Sequence, residues 1–100
     1  MIWAITAVDK PNSTDLRMSL RPAHLDYLKA QDATIVLAGA TLTDDGETMT
    51  GSSFVIQADS RADAEAFSAN DPFTKGGLFA SVTISRMRKG FWNPDHMPAE

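Results

Sequence analysis

The chain has 100 residues, enough for one domain, and its 43% apolar and 22% charged residues are ordinary for a globular protein. A formal charge of −4 with only nine scattered Lys and Arg argues against nucleic acid as a partner, since a phosphate backbone needs a basic face. The absence of cysteine excludes disulfides, thiolate nucleophiles and Cys-based zinc sites.

Residues 2–8, Ile-Trp-Ala-Ile-Thr-Ala-Val, are β-prone and uninterrupted, and both alternating sets are mostly apolar. They predict a central strand at the very start of the chain. No basic segment followed by a long apolar run precedes it, so no signal peptide is expected. No apolar run approaches the roughly 18 residues of a membrane span, and a cytoplasmic location is the default expectation. A loop follows at 9–13, then a short helical turn over 14–20. Pro22 suits the first position of a helix, where its missing N–H needs no partner, so the main first helix is expected from Arg21 to Ala30.

Residues 35–42 form the second predicted strand, again apolar on both faces, and Asp45-Gly46 marks a hairpin turn. The third strand is expected over Ser52–Ala58. Ser60 has the character of a helix N-cap, and a second helix is expected over Arg61–Ala69, stopped by Asn70-Asp71-Pro72. Leu78–Met87 is the fourth strand. The domain thus spans residues 1–90, and residues 91–100 read as a C-terminal tail.

The order β-α-β-β-α-β predicts a ferredoxin-like α+β fold: a four-stranded antiparallel sheet with both helices on one face. The other face then lacks a cover although the first two strands look apolar on both sides. A second copy packed sheet to sheet is the economical solution, giving a homodimer.

Following strand directions by hand brings the start of the first helix, the 43–51 hairpin, the end of the second helix and the start of the fourth strand to one end of the sheet. Arg17, Arg21, His24, Ser52, Asp71, Phe73 and Lys75 fall near that end. His24 and Asp71 are far apart in sequence, and the topology makes them neighbours. An imidazole titrates near neutral pH, and a carboxylate on one ring nitrogen would fix its tautomer and leave the other as a base. Arg17 or Arg21 suits a substrate's anionic oxygen. Trp3, Phe54, Phe73 and Phe79 could wall an apolar pocket.

Each feature has a plainer explanation. His24 can be a solvated residue near a helix start, and Asp71 can simply cap backbone at a turn. Arg17 and Arg21 have the spacing of two side chains on one solvated helical face. The aromatics can be core. No glycine pattern makes a phosphate cradle, and Ser52 lacks a nucleophile elbow. A metal site joining His24 and His96 would need the tail to fold back, so neither a metal nor an organic cofactor is expected.

Four stretches resemble the YciI-like (YCII-related) family: Arg21-Pro22-Ala23-His24-Leu25, Leu37-Ala38-Gly39, Gly51-Ser52, and Asp71-Pro72-Phe73 with Gly77-Leu78-Phe79. The resemblance covers residues 1 to about 91. It implies a dimeric α+β barrel with the His and Asp in a cleft, and enzymatic activity. One branch of the family removes chloride from a chlorinated hydroxyhydroquinone, and related dimeric barrels isomerise muconolactones. The resulting expectation is a cofactor-independent lyase or isomerase acting on a small cyclic or phenolic substrate. His24 would be its acid/base, Asp71 would orient it, and Arg17, Arg21, Ser52 and Phe73 would bind substrate. The alternative is a non-catalytic dimeric module that binds a small metabolite.

Overall fold

The computed structural model describes all 100 residues. Four strands, β1 (Ile2–Asp9), β2 (Ile35–Leu42), β3 (Met49–Gln57) and β4 (Phe79–Met87), form one antiparallel sheet in the order β2-β3-β1-β4. Helices α1 (Thr14–Ala30) and α2 (Arg61–Asn70) alternate with them, and a third, one-turn helix α3 (Pro72–Lys75) follows α2. The βαββαβ ferredoxin-like arrangement is the predicted one. Pro72 ends α2 as expected, but it also occupies the first turn of α3, a helix that the sequence does not predict.

The first helix differs from its expected bounds. It starts at Thr14 rather than Arg21 and runs through Pro22 without a break. Proline removes the N–H that would bond the Met18 carbonyl, but Met18 is half exposed, so water reaches that turn. The segment before Pro22 is held in helical register by side chains: Arg17 and His24, two turns apart on one face, are both buried.

Alternation along β1 sends Trp3, Ile5 and Ala7 beneath the helices. Trp3 and Ile5 meet Phe54 and Ile56 of β3 and Ala64 and Phe67 of α2, with Tyr27 and Leu28 of α1 packed against that cluster. The Trp3 indole N–H is satisfied by the Ala58 carbonyl at 3.1 Å. The Ser60 side chain caps α2 by accepting from the Asp63 N–H, as its sequence position suggests. β3 begins at Met49, three residues before the predicted start, and a Cβ at Gly51 would collide with the Ala7 carbonyl oxygen of β1. Glycine there lets the two strands close and sets Ser52 beside Ala7 under the helices.

The open face of the sheet is not apolar throughout. Its middle row is Gly39, Ser53, Thr6 and Thr83, aligned strand by strand. Apolar side chains collect toward one end, where Ile2, Val36, Leu37, Val55 and Met87 line a cavity of about 340 Å³ with Phe91 and Trp92 of the tail. The tail therefore lies against this face; it makes a 3₁₀ turn at Pro94–His96, and Met97 reaches Leu37 and Val55. The chain exposes 6743 Å². That is about a fifth more than the roughly 5,500 Å² expected of a monomer of its mass.

Candidate active site

The site forms where α1 crosses the upper ends of β1 and β3. α1 presents Arg17, Arg21, His24, Leu25 and Leu28 along one helical stripe, and these line a cavity of about 160 Å³. The opposite wall comes from Ala38 and Ala40 of β2 with Ser52 and Phe54 of β3, and Phe73 of α3 closes one end.

Asp71 is placed by the proline that follows it. Pro72 keeps it out of the helical region, at φ −64° and ψ 128°, so it ends α2 and becomes the N-cap of α3. Its Oδ1 accepts from the Phe73 N–H at 2.9 Å, which fixes the carboxylate. The same oxygen lies 2.7 Å from His24 Nδ1. A carboxylate already accepting one N–H can only accept again, so Nδ1 carries the proton and donates it. His24 and Asp71 are 6% and 1% exposed, so the pair sits in a medium of low dielectric. Nε2 has no hydrogen-bond partner in the protein. Capping and histidine orientation, alternatives from the sequence alone, are both carried by one oxygen atom.

The imidazole is clamped by aromatic rings. Phe73 stacks on it with centroids 3.8 Å apart and planes 12° apart, and Phe54 meets it edge-on at 6.3 Å. Phe73 and Phe54 therefore do both jobs considered for them, core and pocket wall. Trp3 and Phe79 do not line the cavity.

Arg17 and Arg21 have different surroundings. Arg17 is 3% exposed. Its Nη1 donates to both carboxylate oxygens of Asp9, at 2.9 and 3.0 Å, and its Nη2 donates to Ser52 Oγ at 2.8 Å. Its guanidinium lies 4.7 Å from the centre of the Phe73 ring, and its Nε has no acceptor. Arg17 is thus a strut joining β1, α1, β3 and α3, with its charge met by Asp9. Arg21 is exposed, lines the cavity and has no ion-pair partner, which makes it the free cation of the site. Ser52 is buried and engaged by Arg17, but its own O–H remains to donate. Lys75 is exposed, and His96 lies in the tail turn.

Asp9 is the residue that sequence reasoning missed. The sequence places it first in the loop at 9–13. Its position at the upper end of β1, eight residues before Arg17, is the signal that could have found it. Tyr27 is a second addition: its hydroxyl donates to the Phe67 carbonyl at 2.9 Å, and its pKa is raised above the usual 10.0, first by burial and then by the charge of Asp71.

Similarity to known proteins places the chain in a family and confirms its fold. A solved dehydrochlorinase, 5-chloro-2-hydroxyhydroquinone dehydrochlorinase (TftG) from Burkholderia phenoliruptrix AC1100, was determined in complex with 2,5-dihydroxybenzoquinone. It is 38% identical and superposes with a TM-score of 0.83 over 90% of this chain and 96% of its own. An antibiotic biosynthesis monooxygenase shares the fold alone, with a TM-score of 0.53 at 16% identity over 88% of this chain and 97% of its own. Protein YciI of Escherichia coli is 30% identical over 91% of this chain and its own full length. An uncharacterised protein of Haemophilus influenzae is 31% identical over the same shares. The sequence profile of the YCII-related domain matches residues 1–88. The chain belongs to the YCII-related domain family.

Proposed function

We propose that this protein is a small-molecule enzyme, a lyase or isomerase working without metal or organic cofactor, in which His24 moves the proton. The observation that carries the reading is the 2.7 Å contact between His24 Nδ1 and Asp71 Oδ1, with Nε2 unpaired and the ring on the wall of a cavity. Asp71 holds the tautomer in which Nε2 has a lone pair, as a general base requires. Nε2 takes a proton from an acidic hydroxyl or carbon of the substrate. In an isomerisation it returns that proton at another atom; in an elimination the electron pair released expels a leaving group. Neither needs an oxidant. Arg21 holds an anionic oxygen, Ser52 donates to another, and Phe73 and Phe54 face the ring. The 38% identity to a dehydrochlorinase crystallised with a dihydroxybenzoquinone supports a hydroxylated ring as the substrate class.

A second copy on the open face completes the reading. The excess surface and the half-exposed Val8, Leu37 and Met87 support it. Light scattering at micromolar concentration is expected to give twice the chain mass, and a stable monomer would end this part.

The catalytic test is chloride release from a chlorinated hydroxyhydroquinone. His24→Gln should lower the rate by about 10²–10⁴-fold with the melting temperature little changed. Full activity in that variant would rule the proposal out.

A further inference from the structure

We propose that Phe91 of each copy packs into the groove on the open sheet face of a second copy, so that the tail is a reciprocal clasp between the two. The inference rests on the homodimer part of the proposed function and names the residue that holds the copies together.

The tail lies beyond the YCII-related match, which ends at residue 88, so the shared fold does not account for it. From residue 91 onward its only backbone hydrogen bonds are two inside its own 3₁₀ turn, from the His96 N–H to the Asn93 carbonyl and from the Met97 N–H to the Pro94 carbonyl. Apolar contact holds the tail on the sheet, and its two aromatic residues meet that sheet unequally. Trp92 is 55% exposed and borders the groove formed with Ile2, Leu37, Val55 and Met87. Phe91 stands at the lip of the same groove and is 88% exposed, the most of any large apolar side chain here.

One chain thus carries a free ring beside an apolar recess that the ring does not fill. A two-fold axis satisfies both, because its contacts are self-complementary: the ring of each copy enters the recess of the other. Two observations favour a second copy over a lipid or an unrelated protein. The chain exposes 6743 Å², about 1,200 Å² more than a monomer of its mass. That excess covers the roughly 800 Å² that each partner gives to a stable interface. Charge is self-complementary as well: the tail has a basic root, Arg88 and Lys89, and an acidic end, Asp95 and Glu100. Antiparallel tails across the axis set the root of one beside the end of the other.

Sedimentation equilibrium over the micromolar range measures the dimer dissociation constant. A central interface aromatic is worth roughly 30-fold in affinity or more, and the axis counts it twice. Phe91→Ala should therefore raise the constant at least a hundredfold. Phe91→Leu keeps an apolar knob and should raise it at least tenfold less than that. Diluted until the parent is monomeric, Phe91→Ala should melt where the parent does, because a ring so exposed adds little within one chain. A second measurement replaces Phe91 with the photoreactive p-benzoylphenylalanine, which keeps a ring at the lip. Illumination should join two chains, with the attachment mapped by mass spectrometry to β1 or β3. A dimer whose constant Phe91→Ala leaves within threefold, or a cross-link confined to one chain, overturns the clasp and leaves the homodimer standing. A parent that stays monomeric overturns both, including one that partitions onto phosphatidylcholine vesicles instead.

Discussion

Replacing Arg17 with alanine should damage stability before it damages chemistry. Arg17 and Asp9 have side chains 4% and 8% exposed, joined by an N–O contact of 2.9 Å. Removing the arginine leaves a buried carboxylate without its counter-charge, a change that costs about 3–5 kcal/mol. The lost cation–π contact with Phe73 adds to this, on the order of 1 kcal/mol. Against a total of about 5–15 kcal/mol for a domain of this size, the loss is severe, and Tm should fall on the order of 20 °C. Urea unfolding followed by tryptophan fluorescence reads it, since Trp3 lies in the core. The decisive companion is the double variant Asp9→Leu with Arg17→Met, which removes both charges and keeps apolar volume. It should recover most of the loss. An Arg17→Ala protein within about 1 kcal/mol of the parent, or a double variant no better than the single, would refute the reading of Arg17 as a strut.

Arg21→Gln should change stability by no more than about 0.5 kcal/mol, yet weaken binding of 2,5-dihydroxybenzoquinone about tenfold by calorimetry. Asp71→Ala loses a cap and a buried hydrogen bond to a charged group and should cost about 2–4 kcal/mol. Asp71→Asn keeps an oxygen at both contacts and should cost about 1 kcal/mol, while turnover drops about 10²-fold or more because the imidazolium formed on proton transfer loses its counter-charge; equal activity would refute the role of Asp71. Tyr27 is the sole tyrosine, so absorbance at alkaline pH follows it alone. Its raised pKa means stability is intact below about pH 10 and declines as pH rises from there, and Asp71→Asn should move the titration part of the way down. Asp45 is held below the usual carboxylate range, first by the Thr43 hydroxyl and then by the Glu47 N–H. The turn contacts it makes should persist above the usual carboxylate pKa and be lost as pH falls through the lowered value, read from the Glu47 amide by NMR.

The architecture was legible because its signals are local. Apolar runs at 2–8 and 35–42, Asp45-Gly46, and Ser60 before an apolar helix each state their own element. The meeting of His24 and Asp71 at one end followed from strand direction alone, and the structure places them 2.7 Å apart. The helical turn over 14–20 was legible, but its continuity through Pro22 was not, because Pro22 is a strong local signal for a first turn and the contacts that carry the helix through it, Arg17 to Asp9 and Ser52, are tertiary. The same blindness hid Asp9. A charged residue at a strand end reads as solvent-facing, and only the packing of α1 over β1 shows that it is buried. Arg17 and Arg21 looked equivalent four residues apart; one turn of helix moves the second from the interior to the rim.

β2 is an outer strand of the sheet, and its eight residues, Ile-Val-Leu-Ala-Gly-Ala-Thr-Leu, hold no charge. A row of unpaired backbone amides and carbonyls on so apolar a strand is a template for adding further strands from other molecules. Acids stand guard at both ends: Asp32 before it, and Asp44, Asp45 and Glu47 after it. Their mutual repulsion holds such borders of different molecules apart. Replacing these acids with asparagine and glutamine should therefore turn a protected seam into a nucleus for fibrils while the helices stay intact.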